Sequence, residues 1–139
     1  MSVLTPRLRE LLDAQIVGVL LTEPEHGRPL QSVVYYVRED DRLLVSSVAH
    51  RRKVRDVQRT GWASLCVMGF VRPFPAATFS GPATILTKDI GPATAALAQR
   101  FLGTEELPEQ QTDEALAGVG RVIIAIAVER VTAANFLEP

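Results

Sequence analysis

Three apolar, β-branched-rich runs follow one another closely between residues 16 and 48, and their spacing limits the fold more than any other feature of the chain. They are Ile16 to Thr22, Pro29 to Val37 and Leu43 to Val48, each about a strand in length. Glu23-Pro24-Glu25-His26-Gly27-Arg28 separates the first two, and Arg38-Glu39-Asp40-Asp41-Arg42 the next two. Neither interruption is long enough for the crossover helix that a parallel pair requires. The runs therefore read as an antiparallel meander joined by hairpins.

Helical signals occur as inserts around this meander. Thr5-Pro6 is a hydroxyl N-cap followed by proline at the first helical position, and Leu8, Leu11 and Leu12 form one apolar stripe. After Val48 the period changes: Val54 and Val57 lie three apart among polar residues, predicting a short helix that stops at Gly61. Trp62 to Phe70 is a fourth strand, Val71 to Pro75 a rigid loop, and Ala76 to Leu86 a fifth strand in which Gly81-Pro82 marks a bulge or an edge. Asp89 is placed to cap a helix carrying Leu97, Phe101 and Leu102. Gly103 to Gly120 holds five acids and no Lys or Arg, and reads as loop plus a short polar helix. Arg121 to Val128, RVIIAIAV, is the most apolar strand and a short extended tail follows it. The expected fold is mainly β with helical inserts, a six-stranded antiparallel barrel formed by residues 1–139 as a single domain.

Charge and composition remove several function classes. Fifteen Lys and Arg face sixteen Asp and Glu, without the basic excess of a dedicated nucleic-acid binder. Cys66 is the sole cysteine and His26 and His50 the only histidines, so neither a disulfide, a CxxC pair nor a multi-cysteine zinc site is expected, and no metal is assigned. The N-terminus lacks a basic region followed by an apolar one, and no apolar run reaches the roughly 18–20 residues of a membrane helix. A cytoplasmic protein without membrane or nucleic-acid partners is expected. No Walker loop, HExxH, GxSxG elbow or complete dinucleotide glycine motif is present.

The densest charge feature is His50-Arg51-Arg52-Lys53-Val54-Arg55-Asp56-Val57-Gln58-Arg59, with five of the fifteen basic residues in nine positions. It leaves a strand and opens a helix, where free first-turn amides and nearby cations suit an anion. By composition alone the run reads first as a solvated helix face with surface ion pairs, ahead of an anion site. Phe74, held between prolines, suits either a flat ligand or the closing of a barrel mouth.

Taken in order, GVLLTEPEHGRPLQSVVYYV, RLLVSSVAHRRKVRDVQRTGWASLCV and TFSGPATIL resemble the flavin- and deazaflavin-binding split β-barrels related to pyridoxamine 5′-phosphate oxidase. The likeness is nearest to the branch of probable F420-dependent enzymes and spans residues 7 to 137. Its carriers are Gly27-Arg28-Pro29 in the hairpin, Arg51-x-Lys53-x-Arg55-Asp56-Val57 ahead of Ala63-Ser64-Leu65, the Gly81-x-Ala83 strand and a final apolar strand opening on Arg121. The resemblance implies a six-stranded split barrel in which Arg51 and Lys53, with Arg55 in the same motif, bind a cofactor phosphate. It sets the planar ring in a groove at a homodimer interface, beside Ser32, Val33, Val34, Ser46, Ser47 and Val48. It brings the loop containing Phe74 and Pro75 near the ring, and Arg121 toward the cofactor tail. Val33 stands where relatives often carry a polar residue such as Asn.

The implied function is an oxidoreductase using coenzyme F420, with FMN as the alternative cofactor, for hydride transfer to or from a small organic substrate. The rival readings are an FMN-dependent enzyme of the pyridoxamine 5′-phosphate oxidase type and a non-catalytic carrier of a flavin, deazaflavin or tetrapyrrole. No residue is assigned as catalytic; Tyr35 and Tyr36 are the side chains available for a proton. A homodimer is also expected on burial grounds, because RVIIAIAV needs cover on both faces and Phe136-Leu137 adds further apolar surface.

Overall fold

The protein is described by a computed structural model covering residues 2–103 and 112–135. Helix α1 (Pro6–Ala14) begins at Thr5, whose hydroxyl accepts the Leu8 amide at 3.3 Å, and buries Leu8, Leu11 and Leu12. The meander then forms as β1 (Val17–Thr22), β2 (Leu30–Glu39) and β3 (Arg42–Val48). Val17 pairs with Tyr35, Thr22 with Leu30, and Tyr36 with Val45. A short helix α2 (Arg52–Thr60) ends at Gly61, where a left-handed φ of 66° lets its amide cap the Val57 carbonyl at 2.8 Å.

The remaining strands close the sheet. They are β4 (Trp62–Met68), β5 (Ala76–Leu86), β6 (Arg121–Ala127) and β7 (Arg130–Ala134). The order β4-β1-β2-β3-β6-β5 is completed by pairing of β4 with β5, giving a closed six-stranded antiparallel barrel with β7 as an additional strand on β5. Beyond the expected barrel, then, the tail after β6 is itself a strand.

The two-residue period of a strand divides the barrel into an interior and an outer wall. Leu20, Val34, Tyr36, Leu43, Val45, Leu65, Phe79, Ile124 and Ile126 fill the interior. Two helices stopper the ends. Leu8, Leu11 and Leu12 of α1 close one mouth, and Val54 and Val57 of α2 close the other. At Gly81-Pro82, read from the sequence as a bulge or an edge, β5 changes partner: it pairs with β7 through Ser80 and with β6 from Ala83, and the extra residue of the bulge lies opposite, in Ala127–Glu129. The Glu129 amide donates to the Ser80 carbonyl and the Val128 amide turns to the Asp41 carbonyl. A Cβ on Gly81 would lie 2.0 Å from the Ala127 carbonyl oxygen, which is why the crossing takes glycine.

Helix α3 (Gly91–Leu102) packs on the outer wall of β2 and β3, and α4 (Asp113–Gly118) on that of β6. A second apolar cluster joins Leu44, Ile123 and Ala125 to Ile90, Leu97 and Leu116. RVIIAIAV is thus buried on both faces by its own chain, so its apolarity does not call for a second subunit. Asp89 does not cap α3. Ile90 occupies that place, 2% exposed, while Asp89 is exposed at φ 55° and its amide donates to the Asp113 carboxylate at 3.1 Å. Burial of Ile90 sets the start of the helix. Of the expected loop and polar helix, 104–111 lies outside the described residues, as do Phe136 and Leu137. Thr112 caps α4 through the Ala115 amide. Among the described residues no helix is long and apolar enough to cross a membrane.

Candidate functional site

Alternation along the strands sorts the candidate residues between two faces. Val33 and Tyr35 of β2, Ser46 and Val48 of β3, and Arg121 of β6 fall on the outer wall, in phase with Leu44 and Ile123 of the outer cluster. Ser32, Val34 and Ser47 fall on the inward phase, and Val34 belongs to the interior core. Contiguous residues such as Ser46-Ser47-Val48 therefore do not act as one patch.

The outer positions form the floor of a groove of about 440 Å³. Val33, Val34, Tyr35, Ser46 and Arg121 line it from the sheet. One wall is α3, which presents Thr94, Leu97, Ala98 and Phe101 at helical spacing, and Leu116 and Val119 complete it from the α4 side. Lys53 enters from α2. Among the described residues no carboxylate lines the groove.

Its charge gathers at the end where β3 runs into α2. Val48 pairs with Arg121, the Ala49 amide donates to the Gly120 carbonyl at 2.8 Å, and the Arg121 guanidinium donates to Ser46 Oγ at 3.3 Å. Arg51 is the N-cap of α2 and is exposed. Lys53 is half-buried, and its amine is held below the ordinary lysine pKa, first by burial and then by the nearby Arg51 charge. No ion pair to a carboxylate satisfies it among the described residues. An unpaired, partly desolvated ammonium beside two guanidinium groups favours an anion at that end.

What holds α2 in place is Asp56, 5% exposed. Its carboxylate accepts the Thr22 hydroxyl at 2.9 Å and pairs with Arg52 at 3.5 Å and Arg59 at 3.7 Å. Arg52 also donates to the Arg28 carbonyl at 2.6 Å and Arg59 to the Glu23 carbonyl. Two of the five basic residues thus secure α2 to the β1–β2 hairpin, while Lys53 enters the groove with Arg51 close to it. Arg55 lines a separate concavity with Pro24 and His26.

Phe74 and Pro75 are not brought to the groove within one chain. Pro75 lines a hollow against α1 with Leu11, Gly69 and Phe70, and Phe74 lies under the Arg72 guanidinium at 5.6 Å. The two tyrosines are separated as well. Tyr36 is fully buried and donates to the Leu12 carbonyl at 2.5 Å, and burial raises its pKa well above the ordinary phenol value. It is no proton source for a bound molecule. Tyr35 faces the groove and stacks on Phe101. From the sequence, Leu97 and Phe101 are placed on a helix with no role at the site, and the α3 wall is missed. The spacing Thr94, Leu97, Ala98, Phe101 carries that signal once the covered face is known.

A family model described as pyridoxamine 5′-phosphate oxidase matches residues 4–135. No curated protein matches the sequence. Among solved structures, a conserved hypothetical protein of Mycobacterium tuberculosis superposes with a TM-score of 0.78 at 16% identity, covering 96% of this chain and 86% of that one. A structure described as an F420 reductase gives 0.72 at 20% identity, covering 89% and 94%. A FAD-binding protein of Mesorhizobium loti gives 0.69 at 20% identity, covering 96% and 94%. At these identities the superpositions establish a shared fold.

Proposed function

The chain belongs to the pyridoxamine 5′-phosphate oxidase family, and on that premise we propose that its groove binds coenzyme F420 for hydride transfer to or from a small organic substrate. The observation that carries this reading is the division of the groove, among the described residues, into a cationic end and an apolar, aromatic remainder. Such a site suits a molecule with a phosphate at one end of a flexible chain and a planar ring at the other. Lys53, Arg51 and Arg121 would hold the phosphate, assisted by the first turn of α2. Val33 and Tyr35 would carry the ring, and the α3 wall would exclude water from one side. When bound, the cofactor supplies the hydride chemistry, so the described residues that line the groove need no acid–base pair of their own. FMN shares the ribityl phosphate and is the alternative ligand, favoured by the flavin-binding neighbour of the same fold.

The site is proposed to be completed by a second copy of the chain. On the outer wall of β1, β2 and β4, beside the stretch of β2 that α3 packs against, Val17, Val19, Val33, Tyr35 and Met68 are exposed, with Cys66 between them. Val19 pairs with both Val33 and Cys66, so these side chains form one continuous apolar surface. It borders the groove through Val33 and Tyr35. A partner there would cover the open side of the groove and could bring its own Phe74 and Pro75 loop to it.

Fluorimetric titration with coenzyme F420 and with FMN, oxidised and reduced, tests the reading. Saturable binding of coenzyme F420 in preference to FMN is expected. Protein that retains stoichiometric FMN through dialysis would reverse the assignment, and binding of neither would overturn it. A bound cofactor that never turns over with any electron acceptor would identify a carrier instead.

A further inference from the structure

Tyr35 and Phe101 lie face to face in the groove, ring centroids 4.7 Å apart and planes within 21° of parallel. Both remain half exposed, at 49% and 45%. Their supports differ. Tyr35 is set in the middle of β2, paired with Val17. Phe101 is in the last turn of α3, two residues before Gly103, which ends the helix at φ +69°. The α3 backbone there is anchored by the neighbouring Arg100, whose guanidinium donates to the Gln15 carbonyl and lies 5.6 Å from the Tyr36 ring. Among the described residues, the stack on Tyr35 is the ring contact that holds the Phe101 side chain.

Two rings in contact at 4.7 Å leave no space for a third between them. A planar ligand can therefore reach the groove-facing side of Tyr35 only where Phe101 now is. We infer that Phe101 occupies the ring subsite of the groove and must be displaced by the ligand, which makes it a specificity-determining residue. The inference rests on the cofactor reading above. An aromatic pair contributes little beyond its buried area, so a larger planar ring replaces Phe101 with a net gain in contact. A phosphorylated molecule without an extended ring meets the cations of Lys53 and Arg121 but has nothing to exchange for the stack. Displacing Phe101 is therefore a cost met only by ligands that carry an extended ring, and a ring must be large enough to outweigh it.

The test compares Phe101→Ala, Tyr35→Ala and Phe101→Tyr by calorimetry and fluorescence, using FMN, coenzyme F420 and ribose 5-phosphate as probes. Phe101→Ala is expected to bind the two ring ligands about two- to tenfold tighter, the size of the lost aromatic pair, and to leave ribose 5-phosphate unchanged. Tyr35→Ala is expected to bind both ring ligands more weakly, and Phe101→Tyr to match wild type. Leu102→Ala, in the same turn and 57% exposed, is the control and should match wild type as well. Weakening by Phe101→Ala equal to that by Tyr35→Ala would make the pair a fixed wall and overturn the inference, as would unchanged affinity. If neither wild type nor Phe101→Ala binds a ring ligand, the cofactor reading fails and the inference fails with it; binding by wild type with no gain in Phe101→Ala overturns the inference alone. Urea melts establish that these half-exposed sites leave the fold intact.

Discussion

Replacing Lys53 with methionine separates the binding contribution of this residue from its structural one. Lys53 is half-buried, lacks a carboxylate partner among the described residues, and titrates below the usual lysine value of 10.5 because of burial and then Arg51. A ligand phosphate would supply the missing partner. A charge-assisted hydrogen bond contributes about 1.5–3 kcal/mol, so Lys53→Met should raise the cofactor Kd by roughly 10- to 100-fold. Stability is expected to move the other way. The folded-state pKa lies below the unfolded one, so between the two the unfolded chain binds more protons and stability rises with pH. The unfavourable contribution of the charge is complete below the folded pKa and gone above 10.5. Methionine retains the apolar stem and removes the charge, so Tm at neutral pH should be unchanged or higher. Wild-type affinity should decline as pH rises into the lowered lysine range, while Lys53→Met stays flat there. Salt should weaken wild type more than the variant. Arg28→Ala removes an exposed hairpin charge and should leave Kd unchanged. Calorimetric titration across pH with parallel melts measures all of this. Wild-type affinity in Lys53→Met would refute the reasoning, and so would an affinity loss that only accompanies a large fall in Tm.

Asp56→Ala leaves the Thr22 hydroxyl, 1% exposed, without its acceptor and frees two guanidinium groups, so a loss of about 1–3 kcal/mol in urea unfolding is expected, with weaker cofactor binding as α2 loosens. Gly81→Ala drives a Cβ against the Ala127 carbonyl and should cost about 1–3 kcal/mol or more as β5 and the bulge move apart, whereas Gly118→Ala, with nothing near its Cβ, should be close to neutral. Tyr36→Phe deletes the buried hydrogen bond to the Leu12 carbonyl and should lower stability by about 1 kcal/mol without changing cofactor affinity. Val19→Asp puts a charge in the middle of the open β1–β2–β4 face; light scattering should show monomers where wild type shows dimers, and a wild-type monomer at micromolar concentration would remove the proposed partner.

Much of the architecture was legible because its signals are local. The Thr5-Pro6 cap, the left-handed stop at Gly61 and the strand alternation all act within a few residues, and each appears where the sequence placed it. Asp89 shows the limit of such signals. A good capping side chain yields to Ile90, because burying that residue against the outer cluster involves atoms far away in sequence. The argument for a dimer shows the same limit from the other side. RVIIAIAV declares by composition that both its faces are covered, but composition does not say by what. The answer is α3 and α4 of the same chain, while the exposed apolar side chains lie on β1, β2 and β4.

The candidate groove divides in the same way. Sequence alone determined that a basic run leaves a strand and opens a helix, since both features lie within ten consecutive residues. It could not say that Arg52 and Arg59 would be drawn off to Asp56 and the hairpin carbonyls, or that Arg55 would line another concavity. Nor could it bring Arg121 beside Ser46, set Phe101 over Tyr35, or split Ser46 from Ser47 across the barrel wall. Those relations depend on barrel closure and strand register, which are settled by long-range packing of faces. A period of two or 3.6 residues tells which side chains share a face, and only the closed barrel decides what that face meets.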